Sequence, residues 1–144
     1  MDLYKNYEHM EYDGLITDVL PEVIVSGGKI RKGSDEVTLK RGTILAKSSG
    51  TAGDGKLVID NGWTAENDSY KVTTAAASNE TLTAYAILCD DTVVGTEADV
   101  TTAIYIGGCF DLAKCTVAAS HTVSEAEKDA LRNGGIIFKA PQTM

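Results

Sequence analysis

The apolar positions of this chain fall in short runs broken by glycine and polar turns, the signature of a β-rich domain. Two runs dominate, Ala84-Tyr85-Ala86-Ile87-Leu88-Cys89 and Ala103-Ile104-Tyr105-Ile106. Each is too short for an isolated helix, and the second is rich in β-branched and aromatic residues, so both predict strands buried on both faces. They are read as a central strand pair joined by a polar connection. Further strands are expected at Val23-Ile24-Val25, at Glu36–Lys40 where the pattern alternates, at Thr43–Lys47, at Leu57-Val58-Ile59, around Tyr70 and Val72, and at Ile136-Ile137-Phe138. Ser26-Gly27-Gly28 reads as a turn or hinge, Ser48–Gly55 as a flexible loop, and Asp60-Asn61-Gly62 as a turn. Trp63 is expected to cap the core, with Ala75–Asn79 as a loop of small residues and Pro141 closing the fold.

One helix stands out. Ser124 followed three residues later by Glu127 is a capping-box pattern, and Asn133-Gly134-Gly135 supplies the stop. The expected fold class is therefore α+β and β-rich: a small barrel or sandwich-like domain over 22–144 with one short C-terminal helix. Residues 1–21 are expected to form an extended, flexible arm. Tyr4, Tyr7 and Tyr12 are set there among acidic residues, with no matching aliphatic face, and Pro21 marks an extended segment. Such an arm is either a docking segment, since tyrosine brings large contact area at small entropic cost, or a plain disordered terminus.

Composition narrows the function. At 144 residues and 43% hydrophobic the chain can bury a real core. No apolar run approaches the roughly 18 residues of a membrane helix, and the acidic N-terminus is wrong for a signal peptide. The net charge of −8 should repel nucleic acid and anionic lipid. Charge is uneven: Lys29–Lys47 holds six basic and two acidic residues, Ser48–Asp111 two basic and ten acidic. That asymmetry either lets copies pair head to tail or is a scattered solvated surface.

Candidate chemistry is sparse. His9 and His121 lie far apart, and no strained nucleophile turn accompanies Ser120 and His121, so no catalytic residue is expected. Asp90-Asp91 lacks the oxygen-rich loop of a hard-cation site and reads as a turn that stops its strand. Cys109, Cys115 and His121 lack the short ligand pairs of structural zinc sites. Cys89 and Cys109 read as small buried hydrophobes, and three cysteines do not make a disulfide framework. Neither a metal nor a cofactor is expected.

Three segments taken in order resemble the lambda-type phage head decoration, or capsid cement, proteins. They are TLKRGTILAK at 38–47, AYAILCDD at 84–91 followed by TAIYIGGCFD at 102–111, and KDALRNGGIIF at 128–138. Ala86 stands where the family pattern has glycine. The resemblance spans about residues 36–140 and implies a homotrimer on the outer surface of a phage head. There it would staple neighbouring major capsid proteins after the shell expands. It implies a non-enzymatic virion protein, made in the host cytoplasm, whose N-terminal arm contacts the shell by strand addition. The arm residues expected to do so are Tyr4, Tyr7, Tyr12, Leu15, Ile16, Val19 and Leu20, helped by Val23–Arg31. Two rivals come from other classes. A biotinyl- or lipoyl-type carrier barrel would use Lys56 in Asp54-Gly55-Lys56, and a virion-surface glycan or host-attachment module would use Trp63.

Overall fold

The computed structural model describes residues 14–18, 20–33, 35–50, 53–60, 80–118 and 121–140. Trp63, Tyr70, Val72, Ala75–Asn79 and Pro141 lie outside them, as do Tyr4, Tyr7, Tyr12 and Val19.

Among the described residues the strands are β1 (Ile16–Asp18), β2 (Ile24–Ile30), β3 (Val37–Leu39), β4 (Ile44–Gly50), β5 (Leu57–Ile59), β6 (Glu80–Leu88), β7 (Thr92–Val94), β8 (Val100–Phe110) and β9 (Ile136–Phe138). A 3₁₀ turn, Leu112–Lys114, and one helix, α1 (Glu125–Asn133), lie between β8 and β9. Strands β8, β2, β5, β4 and β6 join edge to edge, and β6 returns to β8, so the sheet closes into a barrel. Closure comes at Ile87↔Tyr105 and Leu88↔Ile104. The far end of β8 carries β1 antiparallel on one edge and β9 parallel on the other, with Phe110 opposite both Ile16 and Phe138. β3 and β7 form a separate antiparallel ribbon.

The two apolar runs lie in β6 and β8, with Cys89 just past the end of β6; both faces are buried except at Tyr85, which is 39% exposed. Consecutive residues serve different cores. Leu45, Leu88 and Ile104 join Ile30, Leu57, Ile59 and Ala86 in one cluster drawn from all five barrel strands, which fills the interior. Leu39 and Val94 of the ribbon join the same cluster. Their neighbours Ile44, Ile87 and Tyr105 point the other way, to a second cluster with Leu15, Phe110, Leu131 and Ile136. That outer layer is where α1 packs, against β6 and β9. Ala86 is fully buried, a small side chain in the crowded interior.

Several expectations need correction. β6 pairs with β8 at only two positions; most of its ladder runs along β4 from Ile44↔Ile87 to Gly50↔Glu80. The intervening polar connection contains a strand, β7, because Thr92 and Val94 face the core while Val93 points outward. β4 runs on through Ser48 and Ser49, so part of the expected loop is strand. Ser26-Gly27-Gly28 is no hinge but the middle of β2, paired to Ile104, Ala103 and Thr102. The glycine is needed for packing: a Cβ on Gly28 would stand 2.8 Å from both Ile104 Cδ1 and Leu57 Cδ1. The arm boundary also moves. Leu15 is 1% exposed, its carbonyl accepts the Asp111 N–H, and Ile16–Asp18 is a strand of the sheet.

The helix forms as its caps dictate. The Ser124 hydroxyl accepts the Glu127 N–H at 3.2 Å, and the Glu127 carboxylate accepts the Ser124 N–H in return. At the other end the Gly134 N–H reaches back to the last turn, and the left-handed residue is Gly135, at φ +106°. Leu131 is the buried anchor of its inner face.

Candidate functional site

The residues expected to contact a partner separate into two groups. Leu15 and Ile16 are held by the barrel, Leu15 in the core, so they cannot reach outward. Leu20 is 73% exposed, and at the start of β2 Ile24 and Val25 are 50% and 57% exposed. Ile24 to Gly27 are all exposed, so the first half of β2 lacks the in-and-out alternation of a strand packed on one face. A register shift falls at its start: Ile24 lies opposite Gly107 and Val25 opposite Tyr105, passing over Ile106. Bulges of this kind re-aim side chains at sheet rims. Gly107 completes the arrangement, since Ile24 Cδ1 lies 3.1 Å from where its Cβ would stand. Leu20, Ile24 and Val25 thus make an apolar lip beside the point where the N-terminal segment enters the barrel. Ile30, the last residue of β2, and Arg31 after it are buried, so the Val23–Arg31 segment can meet a partner only before them.

Arg31, Lys40 and Arg41 of the basic stretch are engaged within their own chain. Arg31, 8% exposed, donates from Nη2 to Asp54 Oδ1 at 2.9 Å and from Nε to Oδ2 at 3.2 Å. Burial alone pushes the Asp54 carboxyl up, but Arg31 and the Lys56 N–H outweigh it and hold it below its ordinary value. Lys56 Nζ lies 2.7 Å from Asp99 Oδ2, and that contact raises its ammonium above the usual lysine range. The lysine of the carrier reading is therefore ion-paired. Asp90-Asp91 follows the end of β6, and Asp91 accepts the Arg41 N–H at 2.8 Å and faces Lys40 Nζ at 3.6 Å, contacts that tie it to the distant Lys40-Arg41 segment. Arg41 also donates to the Cys89 carbonyl and the Tyr105 hydroxyl, and its guanidinium lies 5.4 Å from the Tyr105 ring centroid. Cys89, Cys109 and Cys115 are free thiols.

A second feature was not legible from spacing. Asp60, just after β5, His121 in the loop before α1, and Glu127 in its first turn bring their ligand atoms within 4.8 Å of one another. His121 Nε2 lies 2.7 Å from Glu127 Oε1 and 3.9 Å from Asp60 Oδ2. Asp60 is 2% exposed. Burial pushes the Glu127 carboxyl up, but the Ser124 N–H, Asp60 and His121 bring it below the ordinary glutamate value. His121 and Glu127 were visible in sequence as a loop histidine and a capping residue; Asp60, far up the chain, read only as the start of a turn. Among the described residues Cys109 and Cys115 take no part in this group, and no helix is long and apolar enough to cross a membrane.

Compared with known proteins, the chain matches no family model, no curated protein and no solved structure.

Proposed function

We propose that this chain is a non-enzymatic virion structural protein. In this reading it binds the outer surface of a phage head as homotrimers and stabilises the expanded shell by stapling neighbouring major capsid proteins. The order of the three sequence segments at 38–47, 84–111 and 128–138 suggests the class. The observation that carries the reading is the apolar lip of Leu20, Ile24 and Val25, solvent-facing and adjoining the N-terminal segment. An assembly protein has reason to keep such side chains in water, because their burial against a partner contributes binding energy. Tyr4, Tyr7, Tyr12 and Val19 would extend the contact, by strand addition to the shell. Three lips on one trimer would engage three neighbouring sites at once, so weak single contacts add up to firm attachment. The net charge of −8 suits a position outside the shell, away from packaged DNA.

The test is co-sedimentation with expanded heads of the cognate phage, with the intact chain, a chain lacking residues 1–13, and a Leu20→Ser/Val25→Ser double variant. The deletion stops at 13 because Leu15 belongs to the core. Saturable binding at a fixed ratio to the major capsid protein, weakened by both changes, is the expected result. The sedimenting species of the free protein should have about three times the mass of one 15.2 kDa chain. Failure of the intact chain to bind overturns the assignment; unchanged binding by both variants removes the lip and the arm from it.

A further inference from the structure

The Asp60–His121–Glu127 group is not used by the function proposed above. Three separated parts of the chain supply it, and each is fixed by the backbone. The Asp60 N–H donates to the Ile44 carbonyl at 2.9 Å, its own carbonyl accepts the Ala118 N–H at 3.0 Å, and the His121 N–H donates to the Ala118 carbonyl at 3.1 Å. Glu127 is anchored by α1, and its Oε2 accepts the Ser124 N–H, which leaves Oε1 aimed at His121. A ligating carboxylate oriented by a hydrogen bond on its other oxygen is the usual support around a metal ion.

Charge and spacing both point to a cation. A carboxylate oxygen of Asp60 and one of Glu127 lie within 4.8 Å of each other, and the Asp60 side chain is only 3% exposed. Two carboxylates brought together in a largely buried place favour a dication between them. Ligands about 2.1 Å from a tetrahedral ion are about 3.4 Å apart. The observed 2.7 Å and 3.9 Å separations from His121 Nε2 bracket that value. A parting of about 0.7 Å on one side and a closing of about 0.5 Å on the other would satisfy it. Side-chain exposures of 19% for His121 and 12% for Glu127 leave an approach for the ion and for water as fourth ligand. One imidazole with two carboxylates suits zinc and similar transition ions; calcium takes six to eight oxygens.

We infer that Asp60, His121 and Glu127 form a binding site for one divalent ion of the zinc class, which ties the first turn of α1 to the end of β5. The site is independent of the capsid reading and survives its failure.

The full chain, stripped with chelator and freed of it, is dialysed against ZnCl₂ and analysed for bound metal. One equivalent per chain is expected, with Tm raised by roughly 5–10 °C at free zinc a hundredfold above Kd. His121→Ala and Asp60→Asn should each lose at least tenfold in affinity. Glu127→Gln should lose as much while keeping its helix, since glutamine also completes a capping box; it guards the test if the other two fold poorly. His9→Ala should bind as wild type. The inference is overturned if wild type holds less than one equivalent, or if Glu127→Gln binds zinc as tightly as wild type.

Discussion

Gly27 and Gly28 are adjacent in β2 and chemically identical, yet alanine should act on them with opposite sign. At Gly28 the new Cβ would sit 2.8 Å from two methyls, Ile104 Cδ1 and Leu57 Cδ1, and 3.2 Å from Ile104 Cγ2. Both side chains are buried, at 1% and 3% exposure, so each must shift within a filled interior. Overpacking of this kind costs about 1–3 kcal/mol, against about 0.4–1 kcal/mol regained from the stiffer unfolded chain. The net is a destabilisation of about 0.5–2 kcal/mol. Gly27 is exposed, has negative φ, and among the described residues has no atom within 4 Å of its would-be Cβ. Only the unfolded-state term then remains, and Gly27→Ala should stabilise by about 0.4–1 kcal/mol. Urea unfolding of the three proteins reads this directly: the midpoint moves down for Gly28→Ala and up for Gly27→Ala, with the slope unchanged. A Gly28→Ala protein as stable as wild type would return the pair to a hinge and refute the packing argument.

Other outcomes follow from the same contacts. Ser124→Ala removes the acceptor for the Glu127 N–H and should cost about 1 kcal/mol, or about 3 °C in Tm, with Ser124→Thr recovering much of it. Asp54 has its pKa lowered in the fold, so its contribution is complete above the unfolded value of 3.8 and is lost as pH falls through the lower folded value. Arg31→Ala should flatten that acid limb of a stability-against-pH curve, and an unaltered limb would remove Arg31 as its cause. Burial pushes the Cys89 thiol up to about 11 and the Cys115 thiol up to about 12. At pH 8 a thiol reagent should therefore label both residues much more slowly in the native protein than in the unfolded one, and equal rates would contradict the raised values.

What could be read from sequence was what neighbouring residues decide. The helix was legible because Ser124, Glu127 and Gly134-Gly135 act within one segment. β5, β6, β8 and β9 were legible because their apolar runs are continuous. The misses depend on partners distant in the chain. Gly28 looks like any turn glycine until Ile104 and Leu57 are set across from it. Thr92-Val93-Val94 is three residues between polar turns, and only its pairing with Val37–Leu39 makes it a strand. Leu15 resembles its arm neighbours, yet it enters the core beside Phe110. The same limit hid the carboxylate–histidine group: nothing near Asp60 announces that His121 and Glu127 meet it.

β8 gives this architecture a consequence for synthesis. Its eleven residues take β1 and β2 from the beginning of the chain, β6 from the middle and β9 from the end. A ribosome delivers the chain in the reverse of the order in which that strand is needed. β4 and β5 can pair early, since few residues separate them, but the ring cannot shut until residue 110 has left the exit tunnel, nor the outer layer until Phe138 has followed. Until β8 emerges, β2 carries an unmatched edge through much of translation, and β6 through the shorter stretch between Leu88 and Val100. The hazard for this protein lies in those seconds of synthesis, when an unfinished copy can offer its open strands to another.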